Sequence, residues 1–172
     1  MKQRKTTYYF TALFLALGMM PFLWSTAAAQ DEARLVLKTE AAREIKVKEG
    51  TAWITRYTPV TVTKPGDVLR YSIAYTNEGK TPAVGARIVD PIPQGTVYIV
   101  GSAIGAGAAI QFSIDGGATW QSPPVMHAVQ KPDGSVKKEP APPELFTHIR
   151  WSLEGEVPSG GSGRVHFKVT VQ

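Results

Sequence analysis

The stretch Leu69-Arg70-Tyr71-Ser72-Ile73-Ala74-Tyr75-Thr76 alternates large apolar residues with small or polar ones. Successive side chains of a β-strand point to opposite faces, so this period of two predicts a strand with one buried face. The same alternation recurs at 110–114, 149–153 and 164–171. Sheets built from such strands bury their apolar faces by packing against each other.

Turn sequences and weaker strand patterns fill the rest of the chain. Weaker strands are predicted at 35–39, 44–48, 52–63, 84–89 and 96–100, and no long amphipathic helix competes with them. The sequence Lys64-Pro65-Gly66-Asp67 predicts a type II turn, because proline presets the first central dihedral angle and glycine accepts the positive one. About nine short strands with regular turns predict an all-β fold, an antiparallel immunoglobulin-like β-sandwich of about 7–9 strands.

The alternation also predicts which side chains form the core. We expect the inward residues of the two sheets to be Leu69, Tyr71, Ile73, Ile88, Ile110, Phe112, Ile149, Trp151, Leu153, Val165, Phe167 and Val169.

A proline-rich loop at 121–147 interrupts the alternation with six prolines. Proline has no N–H for a strand ladder, so this segment is not central sheet. Within it, Lys131-Pro132-Asp133-Gly134-Ser135 lies between Val129 and Val136 and predicts a small protruding hairpin. We expect an elaborated surface loop in which a short Gly-Ser connection can replace residues 123–144 with the fold intact, because no core strand would be removed. Long loops on rigid scaffolds often carry binding, so the loop is also the predicted contact region.

Residues 1–29 have the features of a secretory signal peptide. Three basic residues in the first five positions precede an apolar run over 8–24, and Ala27-Ala28-Ala29 is a small-residue cleavage site. The run spans only about 17 residues and contains Gly18 and Pro21, which favours cleavage over a retained membrane anchor. The predicted location is extracytoplasmic, that is secreted, periplasmic or at the cell surface, with no transmembrane span after cleavage.

Composition excludes several kinds of chemistry. The chain has no cysteine, which rules out disulfides, thiolate metal sites and a cysteine nucleophile. The net charge of +5 falls to +2 beyond residue 29, where 16 basic and 14 acidic residues remain. A net charge so near zero lacks the excess of basic residues that is typical of nucleic-acid-binding proteins.

No catalytic, cofactor-binding or metal-binding residues are predicted. The histidines His127, His148 and His166 lack partners at metal-ligand spacing, and we expect His166 to face solvent. Serines 72, 102 and 113 lie outside any Gly-x-Ser-x-Gly motif, so a Ser-His-Asp hydrolase would need residues scattered along the chain.

Three further motifs have structural interpretations. Asp90 is expected to cap a turn rather than to act as a catalytic acid. The glycine-rich stretch 101–107 lacks the Lys-Ser/Thr of a phosphate loop and predicts a flexible loop. Asp115-Gly116-Gly117 lacks the alternating acidic ligands of a calcium loop, which leaves weak calcium binding as an open alternative.

Four aromatic residues, Trp53, Tyr57, Trp120 and Trp151, are candidates for a carbohydrate-stacking platform. Trp151 falls in register with core residues, so packing is the default for each of them. Trp120, beside the proline-rich loop, is the best candidate for a surface role.

Several ordered motifs resemble a known family. They are the stretch from Lys64 to Gly79, the motif Asp90-Pro91-Ile92-Pro93-Gln94-Gly95-Thr96, and the later stretches 112–117, 149–151 and 159–167. Together they are similar to the conserved-repeat domain of bacterial and archaeal surface proteins, domain of unknown function 11. The resemblance covers residues 60–172 and implies a β-sandwich in an envelope protein. It is a single copy without internal repeat, preceded at 30–59 by an N-terminal strand extension.

Three function hypotheses follow. The first is a secreted or envelope-associated, non-enzymatic structural or interaction module, acting in surface presentation, adhesion or assembly on an extracellular protein or polysaccharide. The second is a filament subunit, in which residues 35–48 pair with the sheet edge of a neighbour, a form of self-assembly. The third is a carbohydrate-binding protein or hydrolase. A detached segment 33–48 would favour the second, and a cleft holding Trp120 and ionisable groups would favour the third.

Overall fold

The computed structural model describes residues 32–172, so the predicted signal peptide and its cleavage site lie outside the described residues. The described chain is all-β, with one 3-10 turn at Pro143–Leu145. Within this range there is no helix long and apolar enough to cross a membrane. In chain order the strands are β1 (Leu35–Glu49), β2 (Ala52–Pro59), β3 (Val68–Asn77), β4 (Ala83–Val84), β5 (Arg87–Pro91), β6 (Thr96–Tyr98), β7 (Ile104–Gly105), β8 (Ala108–Ser113), β9 (Met126–Gln130), β10 (Val136–Pro140), β11 (His148–Leu153), β12 (Glu156–Val157) and β13 (Ser162–Val171).

Two antiparallel sheets form the body of the sandwich. The larger has the order β2-β1-β3-β13-β6, with β7 also paired to β13, and the smaller has the order β5-β11-β8. Two short ladders, β10-β9 and β12-β4, lie outside them. The strand segments outnumber the nine expected because several contain only two or three residues.

The predicted inward faces meet between these sheets. Ten of the twelve expected core side chains are buried, and the remaining two, Tyr71 and Ile110, are partly buried against them. Trp151 of the smaller sheet and Phe167 of the larger are both fully buried, with ring centroids 6.1 Å apart. The prediction of an antiparallel, all-β sandwich is therefore confirmed.

The boundaries of the weaker strands differ from expectation. The stretches 35–39 and 44–48 belong to one strand of 15 residues, because β1 pairs with β3 up to Arg43 and with β2 from Ala42 onward. This continuous pairing keeps the chain extended where no turn residue interrupts it. The stretch 84–89 is instead split between β4 and β5 by Gly85, whose positive φ of 63° breaks the extended backbone.

The turns agree more closely with the sequence. Asp67 donates its backbone N–H to the carbonyl of Lys64 at 3.0 Å, and Gly66 has a φ of 87°. The hairpin predicted within the proline-rich loop is present as β9 and β10, closed by the bond from Lys131 N–H to the Ser135 carbonyl at 2.8 Å.

No strand of the two main sheets lies in the proline-rich loop, but the loop contributes side chains to the core, which the alternation did not predict. Val125 and Phe146 are both buried members of the core cluster, with 5% and 8% of their surface exposed. The backbone N–H of Ala141 also donates to the Val125 carbonyl at 2.8 Å. The hairpin thus leaves and rejoins the sandwich through core residues, because one end of the interior between the sheets is covered by this loop.

Candidate functional site

A cluster of three aromatic rings lies at one end of the sandwich. Tyr98 closes β6, Phe112 lies near the end of β8 and Phe146 follows the 3-10 turn. Their ring centroids are 5.2 to 5.4 Å apart. The Tyr98 hydroxyl accepts a hydrogen bond from the Ala103 backbone N–H at 3.1 Å, and burial raises the pKa of Tyr98. Its one polar atom is therefore already bonded within the fold.

The proline-rich loop crosses this cluster and is held by hydrogen bonds at its base. Gln121 and Phe112 exchange two backbone bonds of 2.9 Å. The Gln121 side chain donates to the Met126 carbonyl and accepts from the Met126 N–H, both at 3.0 Å. An amide side chain with both its donor and acceptor engaged fixes the path of the chain across Pro123 and Pro124.

Between the aromatic cluster and the loop lies a cavity of about 300 Å³, here named the apolar pocket. Its walls include Tyr98, Phe112, Phe146, Pro123, Pro124 and Pro140, and no charged residue lines it. Val100, which is 64% exposed, lies at its rim. Such walls accept an apolar group through burial and dispersion contacts.

A second, more open groove of about 400 Å³ has mixed polar and apolar walls, with Tyr57, Ser102, His166 and Lys168 as its polar side chains. Lys168 pairs with Glu44 at 3.1 Å, and the Arg70 guanidinium lies 3.5 Å from the Tyr57 ring centroid. Burial, followed by the neighbouring cations, lowers the pKa of His166. His166 lies on the outward face as predicted, although it is half-buried rather than fully solvated.

Trp120 lies on the outer face of the smaller sheet rather than in a cleft. The Arg150 guanidinium is 4.4 Å from the centroid of its ring, and the Arg150 Nε donates to Gln111 at 3.2 Å. Trp151 is buried in the core, while Trp53 lies on β2 and is 67% exposed. The four candidate aromatics therefore do not form one stacking platform.

One group of Ser, Asp and His residues does come together, at the start of β11. Ser113 is paired with His148 across the strands, but its hydroxyl donates to Asp115 at 2.7 Å and accepts from the Gly117 N–H at 2.8 Å. Ser113 is only 1% exposed, and its proton points to the carboxylate rather than to the imidazole. This is the bonding of a capped turn and not that of an activated nucleophile.

Asp115 carries out the role of a turn cap that was predicted for Asp90. Hydrogen bonds from the Ser113 hydroxyl and from Thr119 lower the pKa of Asp115 to about 2. Asp90 instead lies on β5, opposite Ile149, and burial raises the pKa of its carboxyl. The prediction that Asp90 caps a turn is wrong, because the strand continues through it to Pro91. Among residues 32–172 no three His, Asp or Glu side chains are placed to hold a metal ion.

The sequence predicted the proline-rich loop as a contact region and Ile110 and Phe112 as core, but it did not predict the pocket between them. Tyr98, Val125 and Phe146 lie outside the long alternating stretches, so the period of two does not mark them as core. A usable signal is the presence of apolar residues beside prolines, as at 123–125 and 142–146.

The chain matches no family model, no curated protein and no solved structure. The resemblance to conserved-repeat surface domains therefore stays a prediction.

Proposed function

We propose that this chain is a secreted or envelope-associated interaction module that works without catalysis and binds its partner through the apolar pocket. The observation that carries the proposal is the pocket itself, a cavity of about 300 Å³ with no charged residue in its walls. Apolar concavities are the usual sites at which proteins bury a ligand group.

The loop that covers the pocket is fixed before binding. Gln121 and Ala141 anchor its two ends by hydrogen bonds to Met126 and Val125. The prolines between and beside them restrict the backbone further. A wall that is already ordered loses less conformational entropy on binding, which favours a specific contact.

The chemistry of the walls favours a protein partner over a polysaccharide. Sugars present hydroxyl groups that need hydrogen-bond partners, whereas the one polar side chain among the residues that line the pocket is Tyr98, which is 2% exposed. An apolar side chain of an extracellular or envelope protein needs no hydrogen-bond partner and can be buried against these walls. This proposal takes the sandwich to be immunoglobulin-like, as the resemblance implies.

The strand-donating filament and hydrolase hypotheses receive less support. The filament hypothesis needs residues 35–48 to be free, whereas β1 pairs with β3 and β2 along its length. The hydrolase hypothesis needs a histidine bonded to a serine hydroxyl, whereas Ser113 is bonded to Asp115.

The binding test fills the pocket. Ala141 lines it and is partly buried, so Ala141→Phe places a ring in the cavity. The matched control is Ala128→Phe on the exposed face of β9 in the same loop. In affinity capture from the envelope and secreted fractions, we expect the first variant to retain roughly a tenth of the partner, a loss of about 1.4 kcal/mol, and the control to retain all of it. Full capture by Ala141→Phe would overturn the pocket as the binding site.

Secretion is tested separately by mass spectrometry of the protein recovered from the medium or envelope. We expect the chain to begin at Gln30, after cleavage behind Ala29. Recovery of a chain that begins at Met1 would contradict this location.

A further inference from the structure

We propose that the apolar pocket receives Trp53 from a second copy of this chain, so that copies join head to tail. The inference rests on the proposed function, because it names an occupant for the same pocket.

Trp53 lies on a two-stranded extension of the larger sheet. Pairing between β1 and β3 ends at Arg43, while pairing between β1 and β2 continues to the Glu49–Ala52 pair. Residues 44–57, here named the protruding ribbon, therefore extend about 20 Å beyond the last pair with β3, at about 3.3 Å per residue. An ion pair between Arg56 and Glu49 joins its two strands near the turn.

The exposure of Trp53 needs an explanation. It is 67% exposed, whereas the other two described tryptophans are buried or stacked beneath an arginine. Burying an indole removes about 150–250 Å² from water, and tryptophan is among the side chains that contribute most to protein interfaces. A tryptophan held outward on a paired ribbon is thus placed to contact another surface.

The pocket fits one large side chain rather than a whole backbone element. Its volume of about 300 Å³ lies at the lower limit of ligand pockets, which is enough for an aromatic group but not for a strand or helix. Tyr98, Phe112 and Phe146 present ring surfaces to it, and Pro123 and Pro140 present flat aliphatic ones. An indole ring packs well against both kinds of surface.

The charges beside the two surfaces offer one orienting pair of opposite sign, although an exposed lysine, Lys138, also lies near the pocket. Lys48 lies directly opposite Trp53 in the ribbon, and Lys46 lies on the same face. Beside the pocket, Glu144 is exposed on the 3-10 turn, two residues before Phe146. Opposite charges at the rim orient an approaching partner without adding much affinity.

The contact joins two different surfaces of the same chain, since Trp53 of each copy is too exposed to occupy its own pocket. A pair joined by one such contact keeps one free pocket and one free tryptophan, whereas reciprocal insertion would close the pair as a dimer. Further copies can add to the singly joined pair to form a ring or an open chain.

The test uses two variants of the mature chain, residues 30–172, each lacking one half of the contact. Trp53→Ser removes the side chain that inserts, and Ala141→Phe fills the pocket. Sedimentation velocity over a wide concentration range should show wild-type protein growing beyond a dimer, while each variant alone stays monomeric. We expect each to weaken association by at least roughly thirtyfold, the size of an interface hot spot.

The mixture of the two variants gives the decisive result. Ala141→Phe still offers Trp53 and Trp53→Ser still offers an open pocket, so together they should form a 1:1 dimer and nothing larger. N-acetyl-tryptophanamide in excess should dissociate the wild-type assemblies, which tests the pocket even if Ala141→Phe folds poorly. Val84→Ser removes a side chain that is 79% exposed at a different surface, and should associate like wild type.

A wild-type chain that stays monomeric or stops at a closed dimer, or variants that do not combine, would overturn the head-to-tail contact. If the copies do not associate in this way but Ala141→Phe still lowers capture of an envelope partner, the proposed function stands and only the choice of occupant fails. If Ala141→Phe changes neither association nor capture, both proposals fail.

Discussion

The two ends of the sandwich are closed in opposite ways. β13 runs from one to the other: Ser162 at its start pairs with Thr76, and Val169 near its end pairs with Tyr98. Beside its start, Asn77 is fully buried, and its side chain makes four hydrogen bonds. Its amide donates to the carbonyls of Thr81 and Val157, at 2.8 and 2.9 Å, and its oxygen accepts from the N–H groups of Arg34 and Gly79, at 3.1 and 3.0 Å.

At the other end, the apolar pocket lies where prolines replace hydrogen-bonding residues. Pro123, Pro124 and Pro140 offer no backbone N–H, so the loop is held over the aromatic cluster by side-chain packing and by bonds at its base. The comparison shows that turns with free backbone N–H and C=O groups can be held together tightly by hydrogen bonds to one buried amide side chain. A proline-rich cover must rely on apolar contacts, and here it leaves a cavity.

The largest effect is expected at the Asn77 end. Asn77→Leu keeps the approximate volume but leaves two buried carbonyls and two N–H groups without their partner. We expect a loss of about 4 kcal/mol or more in the free energy of unfolding, since each unpaired buried group costs about 1–3 kcal/mol. Urea denaturation measures it, with the exposed neighbour Glu78→Ala as a control that should stay within about 1 kcal/mol. A loss below about 1.5 kcal/mol for Asn77→Leu would show that water replaces its bonds.

Two phenylalanine truncations compare the filled interior with the pocket end. Phe167 is fully buried between the sheets, so Phe167→Ala should cost about 3–5 kcal/mol, the usual range for a buried aromatic. Phe146 already borders a cavity, so its removal breaks fewer contacts and Phe146→Ala should cost about 3 kcal/mol, at the lower limit of that range. Equal losses in chemical denaturation would mean that the pocket is collapsed in solution.

A smaller effect is expected at the base of the proline-rich loop. Gln121→Ala removes both side-chain bonds to Met126 and should lower the free energy of unfolding by about 1–2 kcal/mol. Hydrogen exchange should show faster exchange of the Met126 amide, while amides of β13 keep their protection. Gln130→Ala, on an exposed position of β9, is the matched control. Unchanged exchange at Met126 would indicate that packing alone holds the loop.

The smallest effect concerns pH. The pKa of Asp115 is lowered from 3.8 to about 2, by hydrogen bonds from the Ser113 hydroxyl and from Thr119. A depressed carboxyl pKa stabilises the fold above the unfolded value, and this contribution is lost as the pH falls through the folded value. Wild type should therefore be slightly more stable than Asp115→Asn at pH 5, with the difference fading between pH 3.8 and about 2. A stability difference between wild type and Asp115→Asn that stays constant over that pH range would contradict the role of the charged carboxylate.

The sequence by itself determined the strands and their inward faces. Alternation is a local property, because the pleat of a strand sends every second side chain to the same side. It therefore identified β3, β11 and β13 and most of the core, including Trp151 and Phe167. Local chemistry also predicted the Pro65-Gly66 turn and the hairpin closed at 131–135, since proline and glycine act on their own dihedral angles.

Only the tertiary structure decided how the ends of the sandwich are closed. Asn77 directly follows the alternating stretch 69–76, and its buried amide donates to the carbonyl of Val157, 80 positions away. Tyr98, Val125 and Phe146 become core because a distant loop folds across them, and the unfilled space that this loop leaves is the apolar pocket. Periodicity specifies the face on which a side chain lies, whereas the segment that covers this face depends on contacts between residues far apart in the chain.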